Sequence, residues 1–340
     1  LPVLVTLAYG CASALRRRIL RHNFSPKGAI PMARPNSSLE GAIPMAQRNP
    51  SPRTWAYIAI GLTMLDVLLI GRPFHPTTAP QHVFPTPDAV RFLAQDADIY
   101  RVSGTGLILQ PNSGMLFGIS DIRGYETITP RRYTDLIGRL EGHYRSHFHS
   151  LFTQASAPLW DLLNVKYVLT EQELEGKWEL VYRDTGNVRV YRNQQVLPRA
   201  FVVYHAEIVD GATQSLERIT SEYFDFREKA VLEKRPAGWE EHPEGSVPDA
   251  SVQIVDYQTN RVKLYVETEA DGLLILTDTY APGWKARLDG NATPVYVANH
   301  AFRAVVVPTG VHRIEFVYRP LSFSIGAAIS LVTVAALSLA

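Results

Sequence analysis

Cysteine is almost absent from this sequence. The single one, Cys11, lies in an apolar stretch near the N-terminus, so no intrachain disulfide can form. Charge is nearly balanced, with a net charge of +1 and no strongly basic face, so nucleic acid is not predicted as a partner. The P-loop, the dinucleotide fingerprint, GxSxG and paired cysteine ligands are also missing, and we therefore predict no cofactor and no metal site.

What the sequence does contain is a long apolar run at its end. Residues 320–340 include the uncharged stretch LSFSIGAAISLVTVAALSLA, long enough to cross a hydrocarbon layer of ~30 Å. Only Pro320 separates this stretch from a strand-like segment. The pattern predicts a folded, water-facing domain that leads directly into a transmembrane helix, truncated at the C-terminus.

A second apolar run covers residues 54–71 and predicts another transmembrane helix, with Trp55 and Tyr57 in an aromatic belt. Its one charge is Asp66. An acid in mid-helix costs about 2.5–3.5 kcal/mol, and each Leu, Ile or Val returns about 0.3–0.6 kcal/mol. Insertion is therefore marginal, and we expect Asp66 to face other helices or to lie near the outer interface. Structural pairing is favoured for it over a functional role.

The N-terminal part of the chain is predicted to lie on the cytoplasmic side of the membrane. Residues 1–15 are apolar and precede an arginine cluster, which indicates the end of a truncated transmembrane helix; a signal peptide carries its charges before the apolar run. Residues 16–53 are basic, with Glu40 as their only acid, and contain the near-repeat GAIPMARPN and GAIPMAQRN. They predict a low-complexity cytoplasmic linker. Residues 72–319 are then extracytoplasmic. Because the chain lacks an initiating Met, we expect it to be an internal piece of a larger polytopic protein.

The outer region divides into two predicted parts. Mixed helix and strand signals over residues 72–204 predict a small α+β domain. Residues 205–319 carry eight short strand patterns separated by turns, which predict an antiparallel, jelly-roll-like β-sandwich. Those strands are expected at residues 230–233, 251–257, 261–268, 272–279, 284–288, 293–297, 301–307 and 313–318.

Several short motifs from about residue 66 onward resemble the C-terminal half of the bacterial YfhO-type membrane proteins. They are Asp121-Ile-Arg-Gly-Tyr125, residues 162–170 (LLNVKYVLT), Leu197-Pro-Arg-Ala200, Tyr280-Ala-Pro-Gly-Trp-Lys285, Leu288-Asp-Gly290, Asn299-His-Ala-Phe-Arg303 and Phe316-Val-Tyr-Arg-Pro320. The resemblance implies a multi-pass protein of the bacterial cell membrane, similar to the GT-C glycosyltransferases. Such proteins move a sugar from a polyprenyl-phosphate carrier to an acceptor outside the cell, here a cell-envelope glycan.

The resemblance transfers no catalytic residue, because the acid expected in that family lies in the first extracytoplasmic loop, which this sequence does not contain. Two functions stay open. In the first, the outer region binds the acceptor or the carrier head group of a glycosyltransferase. In the second, it is a non-catalytic binding or assembly module of an envelope protein.

Two sets of residues are candidates for substrate binding. Asp121, Arg123 and Tyr125 could present a charged and aromatic surface to a sugar or pyrophosphate, or Asp121 and Arg123 could pair to pin a loop. Trp284 could stack on a sugar ring or fill the sandwich core. The residues expected to assist Trp284 in sugar binding are Asn299, His300 and Arg303.

The segment HYRSHFH is the remaining candidate. His143 and His147 would be one helical turn apart if the segment were helical, and His149 follows. No acidic partner strengthens a metal site there, so we predict solvent-exposed histidines.

Overall fold

The structure, a computed structural model, describes residues 51–339 apart from 75–77, 126–127, 141–142, 147–148, 156, 222, 242 and 244–247. The predicted helix end at residues 1–15 and the linker up to residue 50, with its near-repeat, lie outside the described residues. The chain divides after residue 77 into two compact units.

The first unit contains the predicted apolar helix. Helix α1, Pro52–Gly71, begins two residues earlier than expected, because Ser51 Oγ accepts a hydrogen bond from the Thr54 amide at 3.2 Å and caps it. A 3₁₀ turn, Arg72–Phe74, follows. The helix is long and apolar enough to span a membrane, and it buries none of its residues.

The second unit begins with an α+β region around a four-stranded sheet of order β1-β4-β6-β5. Strands β1 and β4 are parallel, and the other pairs are antiparallel. The elements are α2 (Pro80–Val83), α3 (Asp88–Leu93), β1 (Arg101–Gly104), a 3₁₀ helix (Ser113–Phe117), α4 (Arg131–Ile137), β2 (His143–Ser146), β3 (His149–Phe152), α5 (Leu159–Leu162), β4 (Val165–Thr170), β5 (Trp178–Arg183) and β6 (Arg189–Asn193).

A β-sandwich follows, in which a five-stranded sheet (β10-β11-β17-β13-β14) packs on a six-stranded sheet (β7-β12-β16-β15-β9-β8). Apolar side chains from β11, β12, β16 and β17 fill the space between the sheets. The elements are β7 (Ala200–Val203), β8 (His205–Ile208), α6 (Gly211–Ile219), β9 (Lys229–Leu232), β10 (Ala250–Gln258), β11 (Arg261–Thr268), β12 (Gly272–Thr279), β13 (Trp284–Leu288), β14 (Asn291–Thr293), β15 (Tyr296–Ala298), β16 (Phe302–Val307) and β17 (Gly310–Tyr318).

One edge of the sandwich corrects the prediction that all of its strands are antiparallel. Strands β8 and β9 are parallel, because helix α6 connects them as a crossover. Glu207 on β8 connects the three elements of this crossover. It accepts hydrogen bonds from Arg218 of α6 and lies 2.6 Å from Lys229 Nζ of β9. The strand predicted at residues 293–297 is also interrupted, because Pro294 between β14 and β15 has no amide to donate.

The two predicted parts of the outer region share one hydrophobic core. Trp160 and Leu162 of the α+β region belong to the same buried cluster as Ala301 and Phe302. Strand β7, which the sequence assigns to the first part, pairs with β12 of the sandwich. The α+β region and the sandwich therefore fold against each other.

The sandwich leads into helix α7, Leu321–Leu339, only two residues after β17 ends. The Arg319 amide donates to the Gly283 carbonyl at 2.8 Å. Gly283 has φ +112°, and a Cβ at this position would lie 2.8 Å from Pro320 Cα. The loop that ends at Trp284 therefore holds the start of α7 by backbone contact.

We expect Gly283→Ala to destabilise the protein, since it adds both backbone strain, about 1–3 kcal/mol, and a clash with Pro320. The matched control is Gly290→Ala, where φ is +85° but no atom lies within 4 Å of the added Cβ. Denaturant unfolding in detergent should show a larger loss for Gly283→Ala. Equal losses would mean that the contact with Pro320 contributes nothing.

The Glu207 contacts predict a pH dependence. The Arg218 hydrogen bonds, opposed by partial burial and assisted by Lys229, lower the pKa of Glu207 to about 2. A lowered carboxyl pKa stabilises the fold above the unfolded value near 4.5, and this stability is lost as pH falls toward 2.

In Glu207→Gln, the loss of stability between pH 4.5 and 2 should be smaller than in the wild type, measured as the denaturant midpoint against pH. Glu217→Gln on the exposed face of α6 is the control, because it leaves the Glu207 contacts intact. An unchanged pH profile in Glu207→Gln would contradict the lowered pKa of Glu207 as the source of this pH dependence.

Candidate functional site

A buried carboxylate on β12, Asp278, lies among three guanidinium groups. Its Oδ1 is 3.1 Å from Arg101 Nη2 and 3.7 Å from Arg199 Nε, and its Oδ2 is 2.9 Å from Arg303 Nη2. The Tyr257 hydroxyl donates to Oδ1 at 2.9 Å. Three positive charges therefore face one negative charge; we refer to these five residues as the arginine cluster.

The arginine cluster draws on distant parts of the chain. Arg101 comes from β1 of the α+β region, and its guanidinium also donates to the carbonyls of Leu163 (2.9 Å) and Thr277 (2.8 Å). Arg199 directly precedes β7, Arg303 lies on β16 and Tyr257 on β10. The cluster therefore sits where the four-stranded sheet meets both sheets of the sandwich.

The surrounding charges keep Asp278 ionised. Burial alone would raise its pKa, yet the charges of the three arginines and the Tyr257 hydroxyl hold the pKa below its ordinary value. The pKa of Tyr257 is raised, first by burial and then by the negative charge of Asp278. The tyrosine is therefore a neutral donor at physiological pH.

Two of the arginines are poorly satisfied. Arg199 is 4% exposed and Arg303 is 2% exposed. Arg199 Nε and Nη1 and Arg303 Nη1 are buried without a hydrogen-bond acceptor among the described residues. Burial lowers the pKa of each guanidinium to about 10. A base whose pKa falls on folding costs stability at neutral pH, so these charges oppose folding.

Trp284, the residue predicted to stack on a sugar ring, lies against the arginine cluster. The Arg303 guanidinium carbon lies 3.7 Å from the centre of the Trp284 ring, a cation–π contact that covers one face of the indole. The Tyr318 ring centre is 5.2 Å from that of Trp284. Sequence reasoning thus paired Trp284 and Arg303 correctly in space, while binding of a sugar to this face stays a prediction.

Asn299 and His300 lie in the turn between β15 and β16, where both have a left-handed backbone. Asn299 Oδ1 accepts the Val231 amide at 2.8 Å, and His300 Nδ1 is 3.0 Å from the Ala212 carbonyl. Both residues are buried. Their contacts join the turn to β9 and α6. Neither side chain makes a described hydrogen bond to the Asp278 carboxylate.

Asp121 and Arg123 form a buried ion pair with an Oδ2–Nη2 distance of 2.8 Å. The guanidinium also donates to the carbonyls of Gly106, Ile108 and Leu109, so the pair pins the loop that contains these three residues. The backbone of Tyr125 exchanges two hydrogen bonds with the Asn112 side chain, and its ring is half exposed. This geometry matches the alternative in which Asp121 and Arg123 pair to pin a loop.

The remaining predicted positions lie elsewhere. Asp66 is half-buried on α1. His143 and His149 belong to strands β2 and β3, so the segment is not helical there, and His147 lies outside the described residues. Within the described part of the chain, no group of three or more His, Cys, Asp or Glu side chains could hold a metal ion.

Residues 246–330 match the family model described as the bacterial membrane protein YfhO. This part of the chain is similar to that family. The match covers β10–β17 and the first half of α7, and so includes Tyr257, Asp278, Trp284 and Arg303. No curated protein and no solved structure matches the chain. The family and the two apolar helices support association with a membrane.

Sequence reasoning missed four members of the arginine cluster: Asp278, Arg199, Arg101 and Tyr257. One signal was available for Asp278, which is the only charged residue in the largely apolar strand GLLILTDT. An acid in a strand buried on both faces needs a cation. Nothing in the sequence identifies Arg101 as one of its partners, because 177 positions separate the two residues.

The charge balance predicts opposite effects for two substitutions. Asp278→Asn leaves three guanidinium groups without a carboxylate and should cost about 3–5 kcal/mol. Arg199→Met removes one of three guanidinium charges that share a single carboxylate, at similar volume, and should leave the free energy of unfolding unchanged or higher.

Denaturant unfolding measures both changes, and Asp289→Asn, in an exposed pair with His312, is the control for loss of a carboxylate. It should lose less stability than Asp278→Asn. Strong destabilisation by Arg199→Met would show that Arg199 is satisfied and that the charge excess is not real.

Proposed function

We propose that this chain is part of a multi-pass bacterial membrane protein that resembles the lipid-linked-sugar glycosyltransferases. Residues 72–319 form its extracytoplasmic region, which binds the acceptor or the carrier head group. The observation that carries this proposal is the junction at Pro320, where a folded sandwich passes within two residues into an apolar helix.

Helix α7 favours the membrane energetically. It has no charged residue, and its large side chains are exposed along its whole length. Each Leu, Ile, Phe or Val contributes about 0.3–0.6 kcal/mol to insertion, and no acid or base offsets this gain. Exposed apolar side chains of this number would be unfavourable in water.

The orientation follows from charge. The segment before α1 is basic over residues 16–53, and short basic segments are retained on the cytoplasmic side. Helix α1 then leads outward and α7 leads back. The sandwich between them lies on the outer side, where a lipid-linked sugar and an envelope glycan would meet.

The arginine cluster supports a head group over a neutral glycan as the ligand of this region. A neutral sugar offers no charge to balance the excess of guanidinium groups around Asp278. A phosphorylated carrier does. Transfer chemistry is assigned to the full-length protein, and the described residues supply binding.

The orientation is tested by labelling single cysteines in cells that express the full-length protein with every native cysteine, Cys11 included, replaced by serine. Ser251→Cys, exposed on β10, should react with a membrane-impermeant maleimide in intact cells. The matched control Ser38→Cys, in the predicted linker, should react only after permeabilisation. Labelling of Ser251→Cys only in permeabilised cells would overturn the orientation.

A further inference from the structure

We propose that Arg199 and Arg303, together with Arg101, form a binding site for a phosphate group at the membrane end of the sandwich. The phosphate could belong to a lipid head group or to a soluble phosphate. The inference rests on the proposed function for the membrane position of α7 only. The charge argument stands by itself.

The first step is the charge excess. Each of the three arginines makes its described ion pair with the same partner, Asp278. Buried charges are normally paired, because an uncompensated charge in a low-dielectric interior is costly. A phosphomonoester carries a charge of about −1.5 to −2 at pH 7 and would balance the excess.

The second step is the set of unused donors. Arg199 Nε and Nη1 and Arg303 Nη1 are buried and have no acceptor among the described residues. A hydrogen bond from a guanidinium N–H to a phosphate oxygen is charge-assisted and about twice as strong as a neutral one. Arg199 offers two unused donors on different edges of its guanidinium, and Arg303 adds a third while its ring contact with Trp284 holds it in position.

The third step is access. The side chains of Arg101 and Asp278 each keep 12% of their exposure, and Tyr257 is 40% exposed. The cluster therefore has an edge that reaches solvent, formed by Tyr257, Arg101 and Asp278.

The fourth step is location. Trp284 contacts both Arg303 and Tyr318, and Gly283 beside it packs on Pro320. One side chain thus separates the arginine cluster from the residues that begin α7. If α7 spans the membrane, the cluster lies at the level of the lipid head groups, where phosphate is abundant.

Binding is measured on the purified full-length protein in dodecyl maltoside, as the shift in melting temperature when phosphate replaces chloride at constant ionic strength. We expect a saturable rise with inorganic phosphate in the wild type, because a ligand that binds only the folded state stabilises it. Equal melting temperatures in phosphate and chloride would overturn the site and leave ordered water as the partner of the free donors.

Two variants keep the test specific. Arg199→Met should abolish the phosphate-dependent rise, and Arg199→Lys, which keeps the charge but loses the fixed guanidinium donors, should raise the apparent Kd about tenfold or more. The control Arg287→Gln removes an exposed arginine on the same strand as Trp284 and should bind phosphate as the wild type does. Identical binding by Arg199→Lys and Arg287→Gln would overturn the site.

A second arm separates the two phosphate sources. Dodecyl phosphate, which inserts into the micelle, is compared with inorganic phosphate at equal total concentration. Tighter apparent binding of dodecyl phosphate assigns the site to a lipid head group. If inorganic phosphate binds equally well, the phosphate site stands and the head-group role proposed above fails. The cysteine labelling tests the orientation independently of these two results.

Discussion

The Asp278 carboxylate is the interaction on which the rest of this structure depends. Through Arg101 it ties the four-stranded sheet to the sandwich. Through Arg199, at the start of β7, and Arg303, on β16, it joins the two strands that flank β12 in one sheet. Tyr257 adds the facing sheet. Without this single negative charge, three guanidinium groups would repel one another where the four-stranded sheet meets the two sheets of the sandwich.

The cluster is nevertheless a poor arrangement for stability alone. Burial lowers the pKa of Arg199 and Arg303, and donors on both side chains have no acceptor among the described residues. Apolar residues of similar volume would fill the same space at lower cost. Functional sites are where proteins keep such unfavourable groups, because binding compensates what folding loses.

The sequence predicts the sandwich strands well where alternation and turns agree. Strands β11, β12 and β13 have the predicted bounds, and the Asp289-Gly290 turn joins β13 to β14. Helix α6 escaped prediction because only Leu216 and Ile219 are apolar and buried on its inner face. The site escaped for a different reason: its partners are far apart in sequence, so only the folded chain brings their charges together.

The close junction at Pro320 has a mechanical consequence. A flexible tether of several residues would let the sandwich turn freely relative to α7. Here two residues connect β17 to α7, and the Gly283 backbone holds them. A tilt of the helix must therefore be transmitted to the sandwich as a rotation of the whole lobe.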